Sequence, residues 1–208
     1  MPATTTYPRY TDLMIDIEAL ADTPDSAPAQ IALVFFDRDE PRKRLFGYER
    51  QPAFCKYRYD PSPISAIRLG FAVTAATLQW WDDQGMTIRV QEGEPLQDVL
   101  DDISRDISRH AAKGLRVWSR GNSYDLAILK LAYQRTGREL PWNFWMERDV
   151  RTWLEGCQFK SSRKNNHCAL DDACNQAADI HDATRSGYVD ERRSSRGALE
   201  AIFATPLA

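Results

Sequence analysis

Asp16 and Glu18 stand two residues apart inside LMIDIEAL, residues 13–20, which otherwise reads as the most buried strand of the chain. On a strand, residues i and i+2 emerge on the same face, about 6.5 Å apart along the backbone. At about 4 Å, two ionised carboxylates repel by roughly 4 kcal/mol at an effective dielectric of about 20, and no lysine or arginine lies within the strand to offset that. A hard divalent cation is the simplest partner, since Mg²⁺ and Mn²⁺ take carboxylate oxygens and keep water ligands. The plainer alternative is a strand that ends with both acids at the solvent edge.

Two further stretches carry acids in places suited to chemistry. In WSRGNSYDLAIL, Asp125 falls in the first turn of a helix that follows an apolar strand, the end at which open α/β sheets place ligands. An acid there also complements the helix dipole, which accounts for about 0.3 to 1 kcal/mol with no further role. In NHCALDDACNQAADI, His167 has Asp172 five positions on, and a histidine is the side chain whose proton affinity lies nearest neutral pH. Helical spacing puts Asp172 with Asn175, Gln176 and Asp179, opposite Leu170, Cys174 and Ala177; that polar stripe reads equally well as a solvent face. Asp171 competes with Asp172 for the assignment. A zinc site at His167, Cys168, Cys174 and His181 is set aside, because tetrahedral sites use tighter ligand pairs.

The elements that must position these groups follow from periodicity. Strands are predicted at about 12–18, 31–36 and 45–50, with residues 50–70 an irregular, proline-containing loop. Helices are predicted near 74–85 and at 95–114, where Leu96, Val99, Leu100, Ile103 and Ile107 recur at helical spacing and Gly114 is the stop. LRVWS is a short strand, and a helix capped by Asn122 or Ser123 follows it. PWNFWMERDVRTWL is a strand or short helix, and the loop EGCQFKSSRKNN leads to a last helix at about 168–183. This order implies an α/β arrangement with helices on a partly antiparallel sheet.

The 208 residues, 43% hydrophobic and 11% aromatic, suit one domain with its core at about 10–187 and a mobile tail from 188. The longest apolar run, IALVFF at 31–36, is far below the roughly 18 residues that span a bilayer, and the amino terminus lacks the basic and apolar regions of a secretory signal, so no membrane partner and a cytoplasmic location are expected. The cysteines form no CxxC pair, and reduced thiols are expected. A net charge of −3 argues against a general nucleic-acid binder, although neutralising Asp16, Glu18, Asp125 and Asp172 by metal would leave +1.

The order D-x-E on a first strand, Tyr-Asp at the start of a middle helix and His-x4-Asp on a late helix resembles the DEDDh 3′→5′ exonucleases of the ribonuclease H-like superfamily, which include proofreading subunits and oligoribonuclease. TLQWW at 77–81, WSRGNSYD at 118–125, RDVRTW at 148–153 and HCALDDA at 167–173 are similar to its phage and bacterial exoribonuclease-like branch. Ala19 and Leu20 depart from the threonine and glycine that many relatives carry after the strand glutamate, and the middle motif is compact, so Asn122 takes no role from the family.

The resemblance implies a ribonuclease H-like fold, with a mixed five-stranded sheet (three antiparallel strands plus two parallel) flanked by helices. It implies that Asp16, Glu18, Asp125 and Asp172 hold two Mg²⁺ or Mn²⁺ ions, that His167 is the general base, and that nucleoside 5′-monophosphates leave from the 3′ end of a single strand, with DNA slightly ahead of RNA. Lys160, Arg163, Lys164 and Arg120 are candidates for phosphate contacts, and Trp80 and Trp81 for base stacking, with a solvated loop and an apolar core as the respective alternatives. The same resemblance leaves the chain open to forming a homodimer. Rival readings are an exoribonuclease, a catalytically silent nucleic-acid-binding module, an endonuclease or phosphotransferase of the same class, and a hydrolase of another substrate.

Overall fold

The computed structural model describes residues 7–39, 55–86 and 92–203, with side chains as far as residue 186. Five strands, β1 (Tyr10–Ala19), β2 (Pro28–Phe36), β3 (Cys55–Tyr59), β4 (Ala111–Ser119) and β5 (Glu147–Asp149), form one sheet in the order β3-β2-β1-β4-β5. β1 and β3 each pair antiparallel with β2, whereas β4 runs parallel to β1 and β5 parallel to β4. The helices are α1 (Pro63–Arg68), α2 (Ala75–Asp83), α3 (Leu96–His110), α4 (Asp125–Arg135), α5 (Val150–Gly156) and α6 (Ala169–Phe203), with a 3-10 turn at Phe144–Met146. No helix among the described residues is long and apolar enough to cross a membrane.

Period-two alternation along β1 divides the molecule into two apolar layers. Leu13, Ile15 and Ile17 join Ile31, Leu33 and Phe35 of β2 against Val99, Leu100 and Ile103 of α3 and Leu126 and Leu129 of α4. Met14, on the other face, meets Ala32, Val34, Phe36 and Trp118, and is covered by Val150 and Leu154 of α5 and by Ala169, Ala173, Ala177 and Ile180 of α6. Alanines at every fourth position present no bulk beyond Cβ, so α6 lies close on the sheet. Asp12, Asp16 and Glu18 share Met14's face. Asp12 is fully buried and satisfied by Arg116 (Nη2 to Oδ2, 2.6 Å) and by the Trp118 indole N–H (2.8 Å).

Several boundaries differ from expectation. The strand predicted at 45–50 lies outside the described residues, and part of the predicted loop at 50–70 is ordered as β3 and α1. CKYRY alternates in burial as a strand should, Pro61 lies between β3 and α1, and Pro63 sits in the first turn of α1 where a missing N–H costs nothing. Gly114 is not a helix stop: α3 ends at His110, and Gly114 (φ 84°) lies where β4 bulges between its pairings Tyr10↔Ala111 and Asp12↔Arg116. His110 is buried, with Nε2 2.7 Å from the Tyr57 hydroxyl and Nδ1 2.9 Å from the Pro8 carbonyl, so tertiary partners outside the helix end it. Tyr124, rather than Asn122 or Ser123, occupies the N-cap of α4. The backbone of α6 is helical to Phe203, past the predicted end at 183.

Candidate active site

The pairing of β1 with β4 ends at Met14↔Trp118, so Asp16 projects past the carboxyl end of β4, beside the turn that leads into α4. Asp125 is the first residue of that helix and is buried. Asp172 lies in the first turn of α6, only 2% exposed, whereas its neighbour Asp171 faces solvent. Carboxylate oxygens of Asp16, Glu18 and Asp172 come within 4.8 Å of one another, the group of His, Cys, Asp or Glu side chains that converges among the described residues. The set His167, Cys168, Cys174 and His181 does not gather.

Asp16, Glu18 and Asp125 line a cleft of about 490 Å³ together with Arg120, Tyr124, Arg151, Arg163, Asn165 and Gln176, while Asp172 is not on its wall. Burial pushes the Asp16 carboxyl up to about 7, and the Asp172 charge adds to that, while a hydrogen bond from Gln176 and the Arg120 charge oppose it. Glu18 is pushed up to about 8 by burial and by the charges of Asp16 and Asp172. Asp125 rises to about 8, first through burial and then through Asp16 and Glu18, with Arg151 acting the other way. Carboxylates in this condition hold protons near neutrality, because burial and neighbouring like charge disfavour their ionised form. A tight set of hard oxygen donors with no thiolate or imidazole among them suits Mg²⁺ or Mn²⁺.

The loop before α6 is tied down around this group. The Asn166 backbone N–H donates to Asp172 Oδ1 at 2.9 Å, and the Asn165 amide, turned to donate, reaches the same carboxylate. The Ala169 N–H donates to Gln30 Oε1 (3.2 Å), and Gln30 stands opposite Glu18 in the β1–β2 ladder. Between these anchors His167 takes a left-handed φ of 54°, a conformation that a non-glycine residue holds only where its surroundings impose it. Its ring packs edge-on against Trp80, centroids 4.8 Å apart and planes at 87°, and is not among the cleft-wall residues.

Trp80 is 38% exposed. Trp81 is a correction: it is 2% exposed, and its indole N–H donates to the Ala19 carbonyl at 3.2 Å, so it is part of the core and offers no stacking face. Arg163 is on the cleft wall, but its guanidinium is engaged by Asp179 and by Asp182 (2.7 Å), which makes it an anchor of the loop rather than a free phosphate contact. Lys160 and Lys164 are exposed on the same loop, away from the wall, and Arg120 is exposed on the wall itself.

The polar stripe of α6 is not a solvent face: Asp172, Gln176 and Asp179 are all nearly inaccessible, and the Gln176 amide donates to Asp16 Oδ1 at 2.7 Å. Gln176, Asn165 and Arg151 are site residues that sequence reasoning left without a role. Helical spacing did place Gln176 beside Asp172, and nothing in the sequence singles out the other two.

A search of curated proteins finds the exodeoxyribonuclease of Enterobacteria phage T4, 26% identical over 167 residues, 69% of this chain and 70% of that protein. Among solved structures, the nuclease domain of 3′hExo, a DEDDh family member bound to rAMP, superposes with a TM-score of 0.55 at 15% identity, over 86% of this chain and 94% of that one. Pop2p of S. pombe in its Mg²⁺- and Mn²⁺-bound form gives 0.54 at 13% identity, over 88% and 87%. These likenesses identify the fold as ribonuclease H-like. The family model for the Rv2179c-like 3′-5′ exoribonuclease domain matches residues 11–183, and the chain therefore belongs to that family and is a 3′–5′ exonuclease.

Proposed function

We propose that this protein shortens single-stranded nucleic acid from a free 3′ end, one nucleoside 5′-monophosphate at a time, with Asp16, Glu18, Asp125 and Asp172 holding two divalent ions and His167 acting as general base. The observation that carries this reading is the convergence of Asp16, Glu18 and Asp172 within 4.8 Å, with Asp125 on the wall of the same cleft. When bound, Mg²⁺ or Mn²⁺ supplies Lewis acidity and offsets the charge that develops on the scissile phosphate. Gln176 and the Asn165–Asn166 pair orient the carboxylates through their hydrogen bonds. His167 accepts the proton of the attacking water at a ring nitrogen once its side chain turns from Trp80 toward the cleft, a rotation that the loop between Asn166 and Ala169 must permit. Arg120 and Arg151 on the wall meet the phosphate oxygens with positive charge.

RNA is the first substrate of this reading, because the matching family is described by ribonuclease activity; the second, DNA, is favoured by the phage relative and by the sequence reading. Strands of both sugars, labelled at the 3′ or the 5′ end and incubated with Mg²⁺, Mn²⁺ or chelator, test both. Stepwise loss from the 3′ end that stops in chelator is the expected result, and His167→Ala lowers kcat by about 10²- to 10⁴-fold while calorimetry still detects Mn²⁺ uptake. Internal cleavage, or turnover that survives chelation, contradicts the assignment.

A further inference from the structure

The 3-10 turn Phe144–Met146 carries the two most exposed large apolar side chains among the described residues, Phe144 at 75% and Trp145 at 61%. Their rings stand edge to face, centroids 5.2 Å apart. The turn that presents them is held from beneath. Trp142 is in the core and donates its indole N–H to Glu147 Oε1 (3.1 Å), while Met146 packs against the same layer. A lone exposed aromatic needs no explanation, but a contiguous pair on a fixed base is a surface built to be covered.

The surroundings indicate by what. Arg148 is exposed, and its Nη1 donates to the carbonyls of Trp145 and Glu147, each at 2.7 Å, so its charge sits over the turn. From there β5, an edge strand, runs beside β4 with the pairings Trp118↔Arg148 and Ser119↔Asp149, toward the end at which Arg120 and Arg151 line the cleft. The six residue steps from Trp145 to Arg151 cover no more than about 20 Å of chain. The acids along this edge are already engaged: Glu147 pairs with Lys130 (2.8 Å), and Asp149 caps α5 by accepting from the Thr152 N–H (3.0 Å). A track of guanidiniums that starts in the cleft and ends at two exposed rings matches a chain of phosphates bearing planar bases.

We propose that Phe144 and Trp145, with Arg148 and Arg151, form a second nucleic-acid-binding platform, on which bases a few nucleotides upstream of the 3′ end stack while that end occupies the cleft. The inference rests on the nuclease reading and names where its substrate continues. Stacking of this kind tolerates any base, since each has a π face, so the platform favours longer strands without choosing among sequences.

The test is binding of phosphorothioate-linked single strands, which resist hydrolysis, in the presence of Mg²⁺ and followed by fluorescence anisotropy. With a strand of about ten nucleotides, the double variant Phe144→Ala/Trp145→Ala binds about ten- to a hundredfold more weakly, Trp145→Phe stays within about threefold of wild type, and Arg148→Gln lowers the salt slope by about one. With a dinucleotide, too short to reach the turn, the double variant changes Kd by less than about twofold. Equal weakening for both lengths, or none for either, overturns the platform; if none appears and the double variant changes from dimer to monomer on sizing, the pair is a contact between copies instead. If the double variant shows the length-dependent loss yet the wild-type protein never shortens labelled RNA or DNA, the platform stands and the nuclease assignment falls.

Discussion

Asp16 shows how one residue couples the parts of the site. Strand alternation turns it toward α6 rather than toward the apolar layer that holds Ile15 and Ile17, and there it meets Gln176 and lies within reach of Glu18 and Asp172. Burial and like charge then hold it near 7, so at neutral pH protons would compete with the proposed divalent ions for the same oxygens. Asp16→Asn keeps an oxygen for the Gln176 amide to donate to and removes one charge. We expect Mn²⁺ affinity measured by calorimetry to fall at least tenfold, while Asp171→Asn, altered on the solvent side of α6, leaves it within about twofold. Equal losses in the two variants would place the ions elsewhere. The D-x-E spacing was legible in the sequence, and so was the choice of Asp172 through its distance from His167. The burial that raises these carboxyls was not, because it depends on α6 covering the face.

At the scale of elements, the chain from Cys157 to α6 is a strap. Arg163 joins it to Asp179 and Asp182, roughly three to four turns into the helix, the Lys164 carbonyl accepts from the Asn175 amide at 3.3 Å, and Asn165 and Asn166 close on Asp172. His167 is thereby delivered at a left-handed backbone angle next to Trp80. Releasing the strap should loosen His167, the proposed base, together with the Asn165 and Asn166 hydrogen bonds to Asp172. Arg163→Ala is expected to speed amide exchange across residues 160–168 and to lower kcat about tenfold with a smaller change in KM, and Arg163→Lys to recover part of kcat; unchanged exchange with a raised KM would instead mark Arg163 as a substrate contact. In the sequence KSSRKNN looks like a basic loop for phosphates, because charge is visible there and the acids that engage Arg163, 16 and 19 residues on, are not. TLQWW likewise offers two tryptophans, and only packing separates the half-exposed Trp80 from Trp81 in the core.

Across the whole molecule the acidic cluster sets how stability varies with pH. The folded-state carboxyls of Asp16, Glu18 and Asp125 sit at about 7, 8 and 8, above their ordinary values of 3.8, 4.5 and 3.8. Between about pH 4 and 8 these three groups therefore bind more protons in the folded than in the unfolded chain, and their contribution to stability falls as pH rises through that window. Thermal unfolding in chelator should show Tm decreasing from pH 5 to about 8, with Asp16→Asn flattening the slope. Mg²⁺ or Mn²⁺ at about pH 8 should restore Tm, since ions bind the deprotonated cluster of the folded state alone. A Tm that climbs over this interval in chelator would contradict the cluster's electrostatics.

The sequence by itself determined what local geometry controls. Period two placed Asp16 and Glu18 on one strand face, helical spacing gathered Asp172 with Gln176, and the resemblance built on that order led to a mixed five-stranded sheet. The first two follow from backbone dihedrals within a few residues, whereas the sheet was what the resemblance implied. The tertiary structure alone decided which loop residues became strand β3, why α3 stops at a buried His110, that the polar stripe of α6 faces inward, and that Gln176 reaches Asp16 across 160 residues of chain. Each of these depends on which surfaces pack together, and no local spacing encodes that.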